Sequence, residues 1–196
     1  MQPLVGHDPI ATATFAVVFG GWILFEIILT GRRRPSRGER SRDRGSGLLV
    51  FGAMFVAFMI LLKGPSSVPE ATMSASPWMV FGVAIVIALA GFGLRVWAIR
   101  ELGRSFTAAI TVSPGQTVVQ SGPYRLIRHP SYAGALVTVF GAALALANWV
   151  SLVAVVPIFL AYAYRIGVEE RALERELGRP YADYRRTTRR LIPFVY

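Results

Sequence analysis

The polar stretch SGPYRLIRHPSYAG, at residues 121–134, is the centre around which this chain is organised. It interrupts a sequence that is otherwise mostly apolar, and it contains two prolines, Pro123 and Pro130. Each proline lacks an N–H group and biases the preceding residue away from helix, and Gly122 before Pro123 suits a tight turn. The stretch therefore predicts a shaped, irregular loop that leads into a helix beginning near Ser131.

The composition around this loop is that of an integral membrane protein. Hydrophobic residues make up 54% of the 196 residues, and the polar residues are bunched rather than interspersed. This length accommodates one domain with four or five spans, without a separate soluble domain. The chain has no cysteine, which excludes disulfides and thiolate metal sites.

The apolar runs predict an all-α, polytopic protein with about five transmembrane helices. Three of these spans are expected in an N-terminal region, 1–99, and the remaining region, 100–196, is expected to carry the chemistry. The predicted spans of the first region lie at residues 10–30, 47–62 and 77–99. The first run is about as long as a bilayer-crossing helix must be, and no basic segment precedes it, so we interpret it as a retained span rather than a signal peptide.

Glu26 lies towards the inner end of the first span. A carboxylate inside a span is usually functional or paired. Because Glu26 is so near the membrane boundary, an arginine partner or extension to the interface is an equally good interpretation.

The last two predicted membrane helices form a hairpin at residues 132–164. Little more than Asn148 separates them, and so short a connection predicts an antiparallel pair that returns the chain to its starting side. Small residues recur in the first of the two helices at the spacing of a close helix contact: Gly134, Thr138, Gly141 and Ala145. Beyond the hairpin the chain is amphipathic and basic, with a helix predicted over 166–177 and further helical turns over 180–186.

The net charge of +10 is distributed on one side of the predicted membrane. Every arginine falls in the loop 31–45, at the inner end of the third span (Arg95), in the central polar region or in the tail, and only Lys63 lies opposite. The positive-inside rule therefore places the N-terminus outside and the central region and tail in the cytoplasm. The strong excess of arginine over lysine is typical of a GC-rich bacterial source, for which we expect an inner (plasma) membrane location.

The arginine-rich loop 31–45 is expected to face anionic lipid headgroups. No aromatic residues interleave with its arginines, as they do on platforms that bind single-stranded nucleic acid. No nucleic-acid partner is therefore expected.

Candidate chemistry is concentrated in two polar segments that the topology brings to the same membrane face. His129 comes from the central loop, and Arg165, Glu169 and Glu170 come from the helix after the hairpin. Arg165 and Glu169 are four residues apart and share a helix face, whereas Glu170 points about 100° away.

Several kinds of site are excluded by these residues. A histidine with two glutamates could form a facial metal triad, but the neighbouring Arg128 and Arg165 would repel a cation and no His-x-x-His spacing is present, so no metal is expected. No nucleophilic triad or phosphate-binding loop is found. The remaining chemistry suits a polar organic cofactor, with a carboxylate on ribose hydroxyls, aromatic rings against adenine, and a lipophilic acceptor that enters from the bilayer.

The motifs now identify a resemblance. The chain strongly resembles the isoprenylcysteine carboxyl methyltransferase family in a series of short strings: Gly122-Pro123-Tyr124, Arg128-His129-Pro130-Ser131-Tyr132, Gly134, Glu169-Glu170, Leu177-Gly178, Tyr181, Tyr184 and Pro193. This family belongs to a wider group of membrane methyltransferases that includes phospholipid N-methyltransferases. The resemblance covers residues 102–194 and implies a cytoplasmic pocket for S-adenosylmethionine, with S-adenosylhomocysteine as the product and without a Rossmann fold.

The resemblance also implies residue roles. Arg165 would orient the acceptor, and the cofactor would be surrounded by Thr111, Gln116, Thr117, Val118, Val119, Tyr124, His129, Pro130, Ser131, Tyr132 and Glu169. An acceptor carboxylate is already ionised at neutral pH and needs no general base. An amine or thiol acceptor would need one, and His129 or Glu170 are then the candidates.

The expected activity is methyl transfer to the carboxylate of an isoprenylcysteine-like acceptor. A phospholipid amine or a small thiol is the alternative acceptor. A membrane reductase of the sterol type, which binds NADPH, and a non-catalytic membrane scaffold are the alternatives from other classes.

Overall fold

The protein is described by a computed structural model that covers residues 3–32, 45–103, 106 and 117–192. Within these residues it is helical, with two isolated β-bridges and no strand. The six α-helices are α1 (Pro9–Arg32), α2 (Ser46–Ser67), α3 (Pro77–Leu102), α4 (Pro130–Ala145), α5 (Val155–Leu177) and α6 (Arg179–Thr187). Short 3₁₀ helices lie at Pro69–Ala71, Gly122–Arg125 and Trp149–Ala154.

Four of the helical segments are long and apolar enough to cross a membrane: α1, α2, α3 and the continuous segment Trp149–Leu177. Helix α4 is a shorter apolar helix of 16 residues, about 24 Å long at 1.5 Å per residue. Large apolar side chains cover the outside of these helices, as Phe51 and Phe55 do on α2. The predicted all-α, polytopic membrane fold is therefore confirmed.

Helix α3 packs mainly against α4 along a seam of glycines. A methyl group added at Gly91 would lie 2.7 Å from the carbonyl oxygen of Gly134, and one added at Gly141 would lie 2.7 Å from the backbone nitrogen of Ala88. Real Cβ atoms do not approach this closely, so the two backbones touch because these positions carry no side chain. The close helix contact predicted from the small residues of α4 is present.

Helix α2 packs against α5, and aromatic and small residues of α1 pack on the α3–α4 pair. Phe19 and Ala11 of α1 belong to one buried cluster with Phe81 and Ala88 of α3. The bundle thus has a tight α3–α4 pair in contact with the other spanning helices.

Several helices extend beyond the apolar runs that predicted them. Helix α2 continues to Ser67 through Pro65, and α3 continues to Leu102. Helix α5 runs without interruption to Leu177, although separate helices were expected on either side of Arg165. Hydropathy marks where a helix leaves the hydrocarbon rather than where its hydrogen bonds end, which accounts for these differences. Gly178, with a φ of +59°, ends α5 at the predicted residue.

The connection between α4 and the Trp149–Ala154 turn lies against the α2–α3 connection. The Asn148 side-chain amide donates to the Val68 carbonyl at 3.0 Å, and the Met73 N–H donates to the Ala147 carbonyl at 2.8 Å. These contacts define the turn end of the bundle. The polar loop 117–129 lies at the opposite end, which we call the polar end.

Candidate active site

The loop that leads into α4 is shaped by Gly122. Its φ of +54° is in the left-handed region, and a methyl group there would lie 2.9 Å from a carboxylate oxygen of Glu101. The 3₁₀ turn Gly122–Arg125 follows, and α4 begins at Pro130. Because Pro130 fits the first turn of a helix without needing an N–H partner, His129 is fixed immediately before α4.

The C-terminal segment holds this loop in place. The N–H groups of Arg128 and His129 donate to the carbonyls of Arg189 and Arg190 at 2.7 and 3.0 Å. The guanidinium of Arg128 also donates to the Thr188 carbonyl. The tail after α6 therefore runs beside the loop as a short parallel pairing.

A buried phenol adds to this attachment. The Tyr184 hydroxyl of α6 donates to the Tyr124 carbonyl at 2.7 Å. Burial raises the pKa of Tyr184 to about 12, although the charge of Arg128 limits the rise. Burial, and then the charge of Glu169, raise the pKa of Tyr124 well above its ordinary value. Both phenols are therefore neutral and able to donate at physiological pH.

Glu170 is the centre of a group of polar side chains that we call the Glu170 cluster, with Arg128, His129 and Arg190. Its carboxylate accepts from Arg128 Nε at 2.9 Å, from Arg190 Nη2 at 2.9 Å and from His129 Nε2 at 3.4 Å. The Glu170 side chain is 4% exposed. Because an ionised carboxylate can only accept, His129 carries its hydrogen on Nε2 in this arrangement.

Glu169, the adjacent residue, belongs to a separate group that we call the Glu169 cluster, with Tyr132 and Arg165. The Tyr132 hydroxyl donates to Glu169 Oε2 at 2.8 Å and accepts from Arg165 Nε at 3.0 Å. His129 Nδ1 lies 4.0 Å from the same carboxylate oxygen. The Glu169 side chain is 29% exposed, and among the described residues its other oxygen, Oε1, accepts no hydrogen bond.

Ring stacking and an additional hydroxyl hold the Glu169 cluster. Tyr132 is stacked between His129, at a centroid distance of 5.7 Å, and Tyr162, at 4.7 Å. Arg165 is buried, and its Nη1 donates to the hydroxyl of Ser46 at 3.2 Å. Ser46 is the first residue of α2, so the N-terminal half of the chain reaches the site.

An ion pair between membrane helices supports the start of α4. Arg95 of α3 pairs with Glu26 of α1 through two hydrogen bonds, one of them 2.6 Å from Nη2 to Oε2. Its Nη1 donates to the Ser131 hydroxyl and carbonyl at 2.9 and 3.0 Å. Of the interpretations open for Glu26, the structure shows the arginine partner.

The structure brings together most of the predicted site residues. His129, Tyr132, Arg165, Glu169 and Glu170 lie in one connected set of contacts. Pro130 and Ser131 lie at the start of α4, where Ser131 is bonded to Arg95.

The other predicted cofactor residues, in the segment before Ser121, are not hydrogen-bonded to this set or lie outside the described residues. Thr117 is exposed and Val118 and Val119 are half-buried on the segment without regular secondary structure before Ser121. No hydrogen bond in the described part of the chain links these three side chains to the glutamates. Thr111 and Gln116 lie outside the described residues, as does most of the arginine-rich loop.

Three contributors were missed by the sequence analysis: Ser46, Arg190 and the pairing role of Arg128. The sequence predicts no partner for Arg128, which pairs with Glu170. Ser46 carries no local signal, because its contact with Arg165 bridges 119 residues. In the residues that the structure describes, no group of three or more His, Cys, Asp or Glu side chains is placed to hold a metal ion.

His129, Tyr132, Arg165 and the two glutamates lie in the part of the chain that comparison with known proteins singles out. Residues 83–175 match the model of the isoprenylcysteine carboxyl methyltransferase family. The resemblance stated from the motifs is confirmed. The match begins within α3 and ends near the C-terminus of α5, so it contains both His129 and the two glutamates.

Individual relatives extend this finding. Protein-S-isoprenylcysteine O-methyltransferases A and B of Arabidopsis thaliana are 36% and 34% identical over 121 residues, which is 60% of this chain. The chain spans 61% of the length of each of these plant relatives. An uncharacterized protein of Bacillus subtilis, YpbQ, is 28% identical over 164 residues, covering 78% of this chain and 96% of that protein.

The fold is also similar to that of a solved structure. The eukaryotic intramembrane Ras methyltransferase ICMT aligns with 98% of this chain and 70% of its own, with a TM-score of 0.62 and 19% sequence identity. At this identity the likeness concerns the fold. It extends to the N-terminal helices, which the family model does not match.

Proposed function

We propose that this chain is an integral membrane methyltransferase that uses S-adenosylmethionine and methylates the carboxylate of an isoprenylcysteine-like, lipophilic acceptor. One observation carries the proposal: a single hydroxyl, that of Tyr132, joins Glu169 to Arg165. A carboxylate suited to a ribose and a guanidinium suited to an acceptor carboxylate therefore lie within two hydrogen bonds of each other. The family resemblance supports the same pair of roles.

Glu169 fits the donor end of the site. Its Oε1 accepts no hydrogen bond among the described residues, and its side chain is partly exposed, so lone pairs are accessible to the hydroxyls of a ribose. The His129 and Tyr132 rings lie beside it and bound this end of the site with their edges, because the faces of Tyr132 are covered by His129 and Tyr162. When bound, S-adenosylmethionine supplies a methyl group that its sulfonium has already activated.

Arg165 fits the acceptor end. A guanidinium binds a carboxylate in a planar, bidentate arrangement that fixes its orientation. The acceptor loses its negative charge on methylation, so a pairing that is too strong would stabilise the ground state. The benefit of Arg165 is therefore orientation of the acceptor oxygen for in-line attack.

Glu170 is poorly suited to the role of a base. Two arginines and a histidine already donate to its buried carboxylate, which stabilises the ionised form and leaves no accessible lone pair directed at an acceptor. A carboxylate acceptor requires no base, which agrees with this arrangement. We assign Glu170 to holding the loop and the tail together.

The polar end is proposed to face the cytoplasm, with the N-terminus outside, in a bacterial inner membrane. The charge distribution supports this orientation: the arginines of the loop, of the C-terminal half of α5 and of α6 gather at the polar end, whereas Lys63 lies near the turn end. The water-soluble donor would then enter from the cytoplasm and the lipophilic acceptor from the bilayer.

The test is a methyl-transfer assay with purified protein in lipid nanodiscs. S-Adenosylmethionine labelled on the methyl group is offered with a farnesylated cysteine, phosphatidylethanolamine or an alkyl thiol in parallel. We expect label on the farnesylated cysteine, released as methanol by base because the product is an ester. Glu174→Gln, at an exposed glutamate on the same helix, serves as the control and should retain wild-type turnover.

Two other outcomes would overturn the proposal. Base-stable label confined to the lipid amine or to the thiol would assign the chain to a different acceptor class. Absence of label, together with binding of NADPH and not of S-adenosylhomocysteine, would favour the reductase.

A further inference from the structure

The Tyr132 hydroxyl has a fixed direction of hydrogen bonding. Arginine has donors only and an ionised carboxylate has acceptors only. The order is therefore Arg165 N–H to Tyr132 oxygen, at 3.0 Å, and Tyr132 O–H to Glu169 Oε2, at 2.8 Å. The single hydroxyl proton cannot point towards Arg165, so both charged groups determine the same position of one oxygen.

The ring that carries this hydroxyl is held from both sides. Its plane lies 20° from that of His129 and 28° from that of Tyr162, and all three rings form one stack. Tyr132 is also in the first turn of α4, directly after Pro130 and Ser131. A displacement of Glu169 or Arg165 therefore affects the other group through the hydroxyl. If the ring moved with one of them, its hydrogen bond to the other would lengthen.

We propose that the Tyr132 hydroxyl is a positioning group that makes the binding of methyl donor and methyl acceptor cooperative. This inference rests on the proposed function. A donor that fixes Glu169 through its ribose holds the Tyr132 oxygen where it orients Arg165 for an acceptor carboxylate. By thermodynamic linkage, an acceptor that fixes Arg165 tightens donor binding by the same factor.

The proposal separates two roles of one residue. The aromatic ring of Tyr132 lies in the stack with His129 and Tyr162, and phenylalanine keeps that ring. Among the described residues, the hydroxyl is the hydrogen-bonded link between the two ends. Tyr132→Phe should therefore leave each ligand able to bind alone and remove the effect of one ligand on the other.

The experiment measures S-adenosylhomocysteine binding by calorimetry in nanodiscs, with and without a saturating farnesylated cysteine. In the wild-type protein we expect the acceptor to tighten S-adenosylhomocysteine binding about 5- to 10-fold. In Tyr132→Phe this ratio should fall to about one. Tyr164→Phe is the matched control, because it makes the same chemical change at an exposed position, and its ratio should equal that of the wild type.

The outcomes distinguish this inference from the proposed function. A wild-type protein that binds both ligands independently, or a Tyr132→Phe variant with the wild-type ratio, would overturn the coupling and leave the methyltransferase proposal intact. A wild-type protein that binds neither ligand would overturn the proposed function and the coupling with it. If Tyr132→Phe does not fold, Arg165→Lys provides the test. Lysine keeps the charge but lacks the forked guanidinium that reaches the hydroxyls of both Tyr132 and Ser46, so the affinity ratio of this variant should also be about one. A wild-type ratio in Arg165→Lys would contradict the coupling.

Discussion

Glu169 and Glu170 are adjacent in the chain, and the two clusters built on them differ in almost every physical respect. Glu170 is 4% exposed and its carboxylate is occupied by Arg128, Arg190 and His129. Glu169 is 29% exposed, and among the described residues only the Tyr132 hydroxyl donates to it. One carboxylate is occupied by the protein itself, and the other retains accessible lone pairs.

The difference shows how one helix can serve folding and chemistry at consecutive positions. A helix turns about 100° per residue, so Glu170 points into the contact between loop and tail while Glu169 points towards Tyr132 and Arg165. His129 lies between the two carboxylates, at 3.4 Å from one and 4.0 Å from the other. The Glu170 cluster fixes the backbone on which the Glu169 cluster depends, and variants of the two glutamates should therefore fail in different ways.

Glu170→Ala should have the largest effect, and that effect should be on stability. It leaves the buried guanidinium of Arg128 without its carboxylate, and loss of one partner of a buried ion pair typically lowers the free energy of unfolding by about 3–5 kcal/mol. The measurement is denaturation in detergent followed by circular dichroism. Glu174→Ala removes an exposed partner of Arg185 and should cost less than about 1 kcal/mol; equal stabilities for the two variants would contradict the distinction.

Glu169→Gln should instead weaken donor binding with little change in stability. The amide can still accept from Tyr132, but the charge that strengthens hydrogen bonds from ribose hydroxyls is lost. Charged hydrogen bonds contribute about 1.5–3 kcal/mol, so we expect S-adenosylhomocysteine affinity to fall about 10- to 100-fold. Calorimetry measures the affinity, and wild-type affinity in this variant would rule out Glu169 as the ribose carboxylate.

Tyr184→Phe should have a smaller effect, on the attachment of the tail. It removes the hydrogen bond to the Tyr124 carbonyl, with an expected loss of about 0.5–1.5 kcal/mol in unfolding free energy. The matched control is Tyr181→Phe, because the buried Tyr181 hydroxyl has no hydrogen-bond partner among the described residues and its removal should be neutral or slightly stabilising. If Tyr181→Phe costs as much as Tyr184→Phe, the bond is not responsible.

The Tyr184 contribution also has a predicted pH dependence. Its folded-state pKa is raised to about 12, above the value of about 10 for an unfolded tyrosine. A raised pKa contributes stability that is fully present below about pH 10 and is lost as the pH rises through 12. The stability difference between wild type and Tyr184→Phe should therefore be constant from neutral pH to about pH 10 and decline above it.

Hydropathy was sufficient to predict the general architecture. The apolar runs indicated the membrane helices, Gly178 indicated the end of α5, and the small residues of α4 indicated the close contact with a neighbouring helix. The C-terminal ends of α2 and α3 and the continuity of α5 through Arg165 were not predicted, because polar residues such as Arg165 continue a helix beyond the hydrocarbon. The continuity of α5 at Arg165 depends on its packing against α2 and the polar loop. These contacts join residues that are distant in the sequence, so local pattern does not indicate them.

The sequence indicated several residues of the candidate site but not the contacts between them. His129 and the two glutamates stand out because polar residues are rare in this chain, and their helical spacing indicates that the carboxylates diverge. Which glutamate becomes buried depends on Arg128 and Arg190, which approach from separate segments. No spacing or motif in the sequence predicts the contact of Ser46 with Arg165, since it joins the first residue of α2 to the middle of α5.

The position of Ser46 and Arg190 bears on how such a protein could be engineered. Both residues lie outside the segment 83–175 that matches the family, yet each contacts a charged group inside that segment. A chimera that grafts only this segment onto another membrane scaffold would receive the two glutamates without the hydroxyl and the guanidinium that hold their surroundings. A functional transplant would therefore have to extend from the start of α2 to the C-terminal segment after α6.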